Sequence, residues 1–345
     1  MIHPGGLGDV LLALPAMKRI RRVFPQHQRV LLASGQVGEF LFTCQLIDAW
    51  LSLDGPAGSD LFAGSIPVSG ALAGWLEQCD FAVAWTEDKE GTLGAVFRNC
   101  GVRQASIQSP FCSDLKARHQ SDRFLEILGL PAVDKVDESI EGPERIPSHL
   151  MEKGRSYLER ARIPSNRPLV FVHPGSGSRH KCSTAEVLAR AIDDLRQDGM
   201  HPLVIEGPAD QGTVEALLKS SMLPKPTVLR GVDLSLLAGM LAQAHVYVGH
   251  DSGVTHLAAL FGVPTVALFG PTEAERWAPR GDHVTILRGA PCACGSWEMV
   301  KACFPKACLA VSVRQLVALC LAHRAAGRNP AKALPMRLVS TYPVC

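Results

Sequence analysis

Val246 to Pro271 reads VYVGHDSGVTHLAALFGVPTVALFGP. Val246 to Val248 is short, β-branched and aromatic, and Val254 to Phe261 is a helix-length apolar run. Gly262 and Pro264 close that run before Thr265 to Phe269 extends again. A strand, a polar turn, a helix and a second strand in one stretch make a repeating unit of a parallel sheet. Asp251, Ser252 and Gly253 stand at the helix start, where unpaired first-turn amides and the positive end of the helix dipole suit an anion. The same Asp-Ser-Gly also works as a simple N-cap, its short side chains satisfying those amides with no ligand.

Working outward, the same rhythm runs along the chain. Val30 to Ala33, Trp50 to Leu53, Phe81 to Trp85 and Gln104 to Ile107 read as strands, with helices over Val10 to Phe24, Ala71 to Gln78 and Gln120 to Leu128. Pro131, Pro143, Pro147 and the charged stretch from Asp134 to Arg145 interrupt it and mark a linker. The alternation resumes with strands at Leu169 to Val172, Leu203 to Glu206, Thr227 to Leu229, Val246 to Val248 and Thr265 to Phe269. The fold class is therefore α/β: two Rossmann-like, doubly wound domains, over 1–147 and 148–326, expected to face each other across a cleft. From Gly327, three prolines and no periodic pattern predict a poorly ordered tail over 327–345.

The 345 residues carry a net charge of +2 with Lys and Arg dispersed, which gives no electrostatic case for nucleic acid. Lys18, Arg19, Arg21 and Arg22 form the one basic cluster; on a helix it reads as a solvated face, or as a patch for an anionic acceptor or lipid surface. No run reaches the roughly 18 to 20 apolar residues of a membrane span, and no signal peptide is evident, so a cytoplasmic location is expected. Of the 11 cysteines, Cys44, Cys79, Cys100, Cys112, Cys182, Cys320 and Cys345 are scattered singly, as small hydrophobes in a reducing compartment. Cys292, Cys294, Cys303 and Cys308 lie together. Four thiols so close suit tetrahedral zinc, but their spacing is not a standard knuckle, and unligated thiols are the first expectation.

Ligands of doubly wound sheets bind beyond the carboxyl ends of the strands. After Leu169 to Val172 comes His173-Pro174-Gly175-Ser176-Gly177-Ser178-Arg179-His180-Lys181, with glycines, hydroxyls and a cation suited to phosphate. The Walker spacing is absent. Ser183 with Glu186 predicts a capping box for the next helix. This turn and the Asp251 turn on one sheet predict a diphosphate held between Ser176, Gly177, Ser178 and Lys181 on one side and Ser252 to Thr255 on the other. Glu206 and Asp210 end another strand, where a carboxylate suits ribose or sugar hydroxyls; Asp210 reads equally well as an N-cap.

Near the start, Pro4-Gly5-Gly6-Leu7-Gly8-Asp9-Val10 precedes the first helix. Leu11 occupies the place of the third glycine of a dinucleotide fingerprint, which disfavours hydride transfer. Asp9, flanked by Gly6 and Gly8, suits a general base. Only Met1, Ile2 and His3 precede this turn, whereas a buried strand usually needs about five residues. A misassigned or trimmed start, with a few apolar residues encoded upstream, is the expectation.

Together, Gly-Gly-Leu-Gly-Asp-Val, His-Pro-Gly-Ser-Gly-Ser followed by Lys, and Asp-Ser-Gly-Val-Thr-His onward to Gly-Pro-Thr resemble the glycosyltransferase family 9 heptosyltransferases, over most of Met1 to Ala325. The resemblance implies a GT-B fold with an acceptor-binding N-terminal domain and a nucleotide-sugar-binding C-terminal domain. It implies inverting transfer of heptose from ADP-heptose to a lipid-linked acceptor, the lipopolysaccharide inner core, at the inner membrane surface. Asp9 falls on the family's catalytic base, with Gly6 and Gly8 on the acceptor side. Lys181 falls on its donor-phosphate cation, and Asp251, Ser252, Gly253, Thr255 and His256 on its phosphate-binding helix start. The family's carboxylate falls on Asp210 or Glu206. No Asp-x-Asp pair ends a strand, so neither a metal nor another cofactor is expected, and a monomer is. A transferase or epimerase for another nucleotide sugar, and a non-catalytic nucleotide-sugar module, are the alternatives.

Overall fold

The computed structural model describes residues 1–64, 70–111, 118–131, 142–222, 224–327 and 337–340. It divides into two compact units, Met1–Glu141 and Gly142–Cys345. Most of the linker expected from Asp134 to Arg145 lies outside the described residues, as do Cys112 and Cys345.

In the first unit, β1 (Val30–Ala33) pairs in parallel with β2 (Ala49–Ser52), and β3 (Phe81–Ala84) with β4 (Gln104–Ile107). Ile2 joins the two pairs, bridging Leu32 on one side and Ala84 on the other. Its amide donates to the Val83 carbonyl at 2.8 Å, the His3 amide to Leu32 at 2.9 Å, and the Trp85 amide to Ile2 at 3.0 Å. Three residues thus take the central position of the sheet. Ile2, Leu32, Ala82 and Ala84 pack there against Leu61, Leu72, Leu76, Leu93, Val96 and Phe97 from the helices. The helix expected over Val10 to Phe24 is two, Leu7–Leu12 and Leu14–Val23, meeting at Ala13. Pro15, in the first turn of the second, has no N–H to continue the first. In the second helix Arg21 is exposed, whereas Lys18, Arg19 and Arg22 are half-buried.

The second unit is one parallel seven-stranded sheet. Its strands are β5 (Leu169–His173), β6 (His201–Glu206), β7 (Thr227–Arg230), β8 (Val246–His250), β9 (Thr265–Phe269), β10 (Val284–Arg288) and β11 (Arg337–Ser340), in the order β11-β10-β9-β8-β5-β6-β7. β5, β8 and β9 are buried at every residue, as strands covered on both faces must be, and this accounts for their unbroken apolar runs. Val170, Val172, Val246, Val248, Val266 and Leu268 pack against Leu188, Ile192 and Leu195 of the helix Ala185–Gln197 and against Leu316, Val317 and Cys320. Each such side chain contributes about 1.5–3 kcal/mol on burial. Helices Ser148–Arg160 and Leu234–Leu241 cross backbone to backbone at Gly154 and Gly239, where a Cβ on Gly154 would lie 2.0 Å from the Gly239 carbonyl carbon.

Two features depart from the sequence reading. β11, inside the expected tail, is a sheet strand paired with β10 from Thr285↔Arg337 to Arg288↔Ser340. β10, VTILR, follows the short helix Ala274–Trp277 and extends the sheet beyond the strands expected from sequence. Ala307–Ala326 has the length and composition of a membrane span. It is, however, a 3-10 turn at Ala307–Leu309 followed by the helix Val313–Ala326, whose Leu316, Val317 and Cys320 are part of the core.

Candidate functional site

Because β5 and β8 are neighbours in register, Val170↔Val246 to His173↔Gly249, the turns that leave them emerge side by side. The Ser176 hydroxyl donates to the Asp251 carbonyl at 2.5 Å, fastening one turn to the other. Between Ser176 and Lys181 the chain makes a 3-10 turn, Arg179–Lys181, with the Ser178 hydroxyl accepting from the His180 amide. Gly177 has open space where a Cβ would be. Lys181 Nζ reaches the Asp251 carboxylate at 2.9 Å, and the Thr272 hydroxyl donates to the same Oδ2 at 2.8 Å.

Asp251 therefore does not present a bare carboxylate to an anion. It holds a lysine and a threonine in place, and this fits a diphosphate better than the placement expected from sequence, since a free carboxylate would repel one. Thr272 follows β9 in the Gly270-Pro271-Thr272 turn, where glycine and proline mark the turn but no local pattern points to the threonine. Ser252 caps the helix Gly253–Leu260, its hydroxyl accepting from the Thr255 amide. Thr255 is buried, and its hydroxyl meets Ser252 and Tyr247, each at 3.1 Å. His256 is buried in the same first turn.

Beneath the turns lies a pair the sequence reading missed. His173 Nε2 stands 2.9 Å from Asp210 Oδ2, and its Nδ1 stands 3.2 Å from the Ser252 hydroxyl. The Gly207 amide donates to the same Asp210 oxygen at 2.9 Å. Burial raises the Asp210 pKa, but His173 and the Gly207 amide outweigh it and hold the carboxyl below its ordinary range. Asp210 occupies the N-cap position of the helix Gln211–Ser220 without a side-chain cap bond. The His-Pro-Gly-Ser quartet was the available signal for His173. What sequence could not show was that its ring faces a residue 37 positions away.

Glu206, by contrast, lies at the β6 rim, paired with Arg230 at 3.0 and 3.1 Å. The expected Ser183 capping box is absent. Thr184 is the N-cap of the helix Ala185–Gln197, and Glu186 bonds to Thr184. Ser183 instead donates its amide and offers its hydroxyl to His250 Nε2, both at 2.9 Å. Burial, and then His173, depress the His250 pKa to about 4.

In the first unit, Asp9 is the third residue of the helix Leu7–Leu12, and its Oδ2 accepts the Gly6 amide at 3.1 Å. Gly5 is obligatory beside it, since a Cβ there would lie 2.7 Å from the Asp9 Cβ. Gly6 is exposed and Gly8 half-buried. His3, also missed from sequence, is buried behind this turn. Its ring packs tilted against Trp85 at 5.6 Å and Phe124 at 5.2 Å between centroids, and its Nδ1 accepts the Gly5 amide at 3.1 Å.

The sequence profile of glycosyltransferase family 9 (heptosyltransferase) matches residues 115–303, more than half of the chain. The chain belongs to glycosyltransferase family 9. Lipopolysaccharide heptosyltransferase 3 of Escherichia coli is 27% identical over 141 residues, 40% of this chain and 41% of that protein, so the match spans about two fifths of the curated relative. Among solved structures, the family 9 glycosyl transferase of Veillonella parvula superposes with a TM-score of 0.76 at 18% identity, covering 94% of this chain and 96% of that one. The E. coli ADP-heptose lps heptosyltransferase II gives 0.68 at 15% identity, over 93% and 97%. These likenesses show that the family 9 chain has the GT-B fold, built from two Rossmann-like domains.

Proposed function

We propose that this family 9 protein is an inverting glycosyltransferase that moves heptose from ADP-heptose to a lipopolysaccharide inner-core acceptor in the cytoplasm, in a single displacement. The observation that carries the reading is the Lys181–Asp251–Thr272 cluster beside the capped helix at Ser252, on adjacent strands. It offers a positioned cation, hydroxyls and first-turn amides to the two phosphates of a nucleotide-sugar donor. The relatives named for heptose transfer and for ADP-heptose supply the sugar and the nucleotide.

In this reaction the acceptor hydroxyl attacks the anomeric carbon and Asp9 takes its proton. A new carbon–oxygen bond forms as the bond to the β-phosphate breaks, and ADP leaves toward Lys181 and the Ser252 helix. Negative charge grows on the leaving phosphate, so a lysine already held in place stabilises the transition state more than the ground state. Ser176, Gly177, Ser178, Gly253, Thr255 and His256 form the walls and floor of this donor site. Of the two carboxylates considered for donor hydroxyls, Glu206 at the β6 rim takes that role, because Asp210 is buried and committed to His173 and Gly207.

The test is to incubate the protein with ADP-heptose and follow ADP release with and without a lipid A core acceptor. Acceptor-dependent release is the expected result. Binding without release would make the protein a sugar-nucleotide module, and turnover with another nucleotide sugar alone would reassign the donor.

A further inference from the structure

Cys292, Cys294, Cys303 and Cys308, which sequence spacing alone left as unligated thiols, are brought together by the fold. The chain leaving β10 is stitched to the 3-10 turn Ala307–Leu309, the Gly289 amide donating to the Cys308 carbonyl at 2.9 Å and the Ala290 amide to Ala307 at 3.1 Å. Gly289 fits only as glycine, since a Cβ would lie 2.1 Å from the Ala307 oxygen. This stitch sets Cys292 against Cys308. The intervening helix Trp297–Ala302, capped by Ser296, returns the chain to Cys303. Lys306 Nζ fixes that return by donating to the Cys303 carbonyl at 2.9 Å and to the Val300 carbonyl. The thiols form one connected group: Cys308 bonds with Cys292, and Cys294 bonds with both Cys292 and Cys303.

We propose that these four cysteines form a tetrathiolate site for a divalent metal of the thiolate-preferring class, zinc or ferrous iron, which ties down the loop over 289–308. Soft sulfur donors in a tetrahedral set select those ions. Among the described residues no three His, Cys, Asp or Glu side chains already stand in an arrangement that could hold a metal ion. The proposed site would close by rotation of side chains, and Cys292, Cys294 and Cys303 are only half-buried. Free thiols are protonated near neutrality, and a divalent metal binds them as thiolates. Binding exchanges four thiol protons for one divalent ion and leaves a net charge of −2 on the centre. Lys301 and Lys306 lie in the same loop to offset it, and both act on His180, whose pKa is lowered first by desolvation and then by Lys306, Arg179 and Lys301. The metal would thereby hold two lysines beside the Arg179–Lys181 turn. Metal binding itself does not depend on the donor assignment.

The test uses the full chain, purified anaerobically with a reductant, then analysed for metals by mass spectrometry and titrated with Co²⁺. The expected result is one zinc or iron per chain, release of about four protons on loading near neutral pH, and the intense sulfur-to-cobalt charge-transfer absorption of a tetrathiolate. Cys294→Ser and Cys308→Ser should reduce metal to background, and Cys100→Ser should leave it stoichiometric. If a variant fails to fold, adding a mercurial to the unaltered protein should release one metal as the cluster thiols are consumed. Absence of metal together with no Co²⁺ uptake, disulfides joining these cysteines in the reduced preparation, or full metal content in the Cys294→Ser, Cys308→Ser double variant would overturn the proposal.

Discussion

Acidification is expected to weaken the fold through buried histidines well before the carboxylates titrate. His250 is fully buried, and its Nε2 lone pair accepts the Ser183 amide at 2.9 Å, so protonating that nitrogen would destroy the bond that fixes the start of the loop before Ala185–Gln197. His3 uses Nδ1 in the same way for the Gly5 amide. His323 Nε2 meets the Thr285 hydroxyl at 2.9 Å in the core. Burial lowers all three from 6.5 to about 4. Between those values the unfolded chain binds protons that the folded chain refuses, so stability is full above about pH 7 and falls as pH drops toward 4. At about pH 5 the unfolded histidine is almost fully charged and the folded one is neutral, which favours unfolding by about 2 kcal/mol for each. Urea denaturation followed by circular dichroism at about pH 7.5 and pH 5 measures the difference. His250→Gln keeps an acceptor but cannot titrate, so it should remove about 2 kcal/mol of the pH dependence, whatever it does to stability at neutral pH. An unchanged pH dependence in that variant, or equal stability of the parent at both pH values, would refute the reasoning.

Replacing Asp9 with Asn or Ala should abolish transfer while ADP binding, measured calorimetrically, stays close to that of the parent; sustained turnover would remove Asp9 from the mechanism. Lys181→Met leaves the Asp251 carboxylate, only 10% exposed, without its cation. It should weaken ADP binding about tenfold or more and destabilise by about 3 kcal/mol. Adding Asp251→Asn should restore stability but not affinity, which a double-mutant cycle would show. Gly175→Ala places a Cβ 1.7 Å from Asp210 Oδ1 and should cost about 1–3 kcal/mol in a thermal melt by displacing the His173 pair. Gly177→Ala meets nothing within 4 Å, so the melt should not move while ADP affinity falls.

The α/β class was legible because strand and helix periodicity is local. Every strand read before Gly270 lies within two residues of its place in the structure, and β5, β8 and β9 announce themselves as runs buried on both faces. The glycine- and serine-bearing turns were legible for the same reason, since cap and turn chemistry acts over three or four residues. β11 was not, because four residues between prolines have no period of their own and become a strand only by pairing with β10. Nor was the Ser183 cap, whose hydroxyl goes to His250, 67 residues away.

Sequence alone thus determined two doubly wound domains, the family, and which turns carry anion-suited residues. Only the tertiary structure decided which of those residues meet. Lys181 and Asp251 are 70 positions apart, and they meet because β5 lies beside β8, an order that no local pattern encodes. The same sheet order turns Asp251 from an expected phosphate contact into the holder of Lys181 and Thr272. It commits Asp210 to His173 and leaves Glu206 at the rim, and the stitch after β10 brings four separate cysteines into one group.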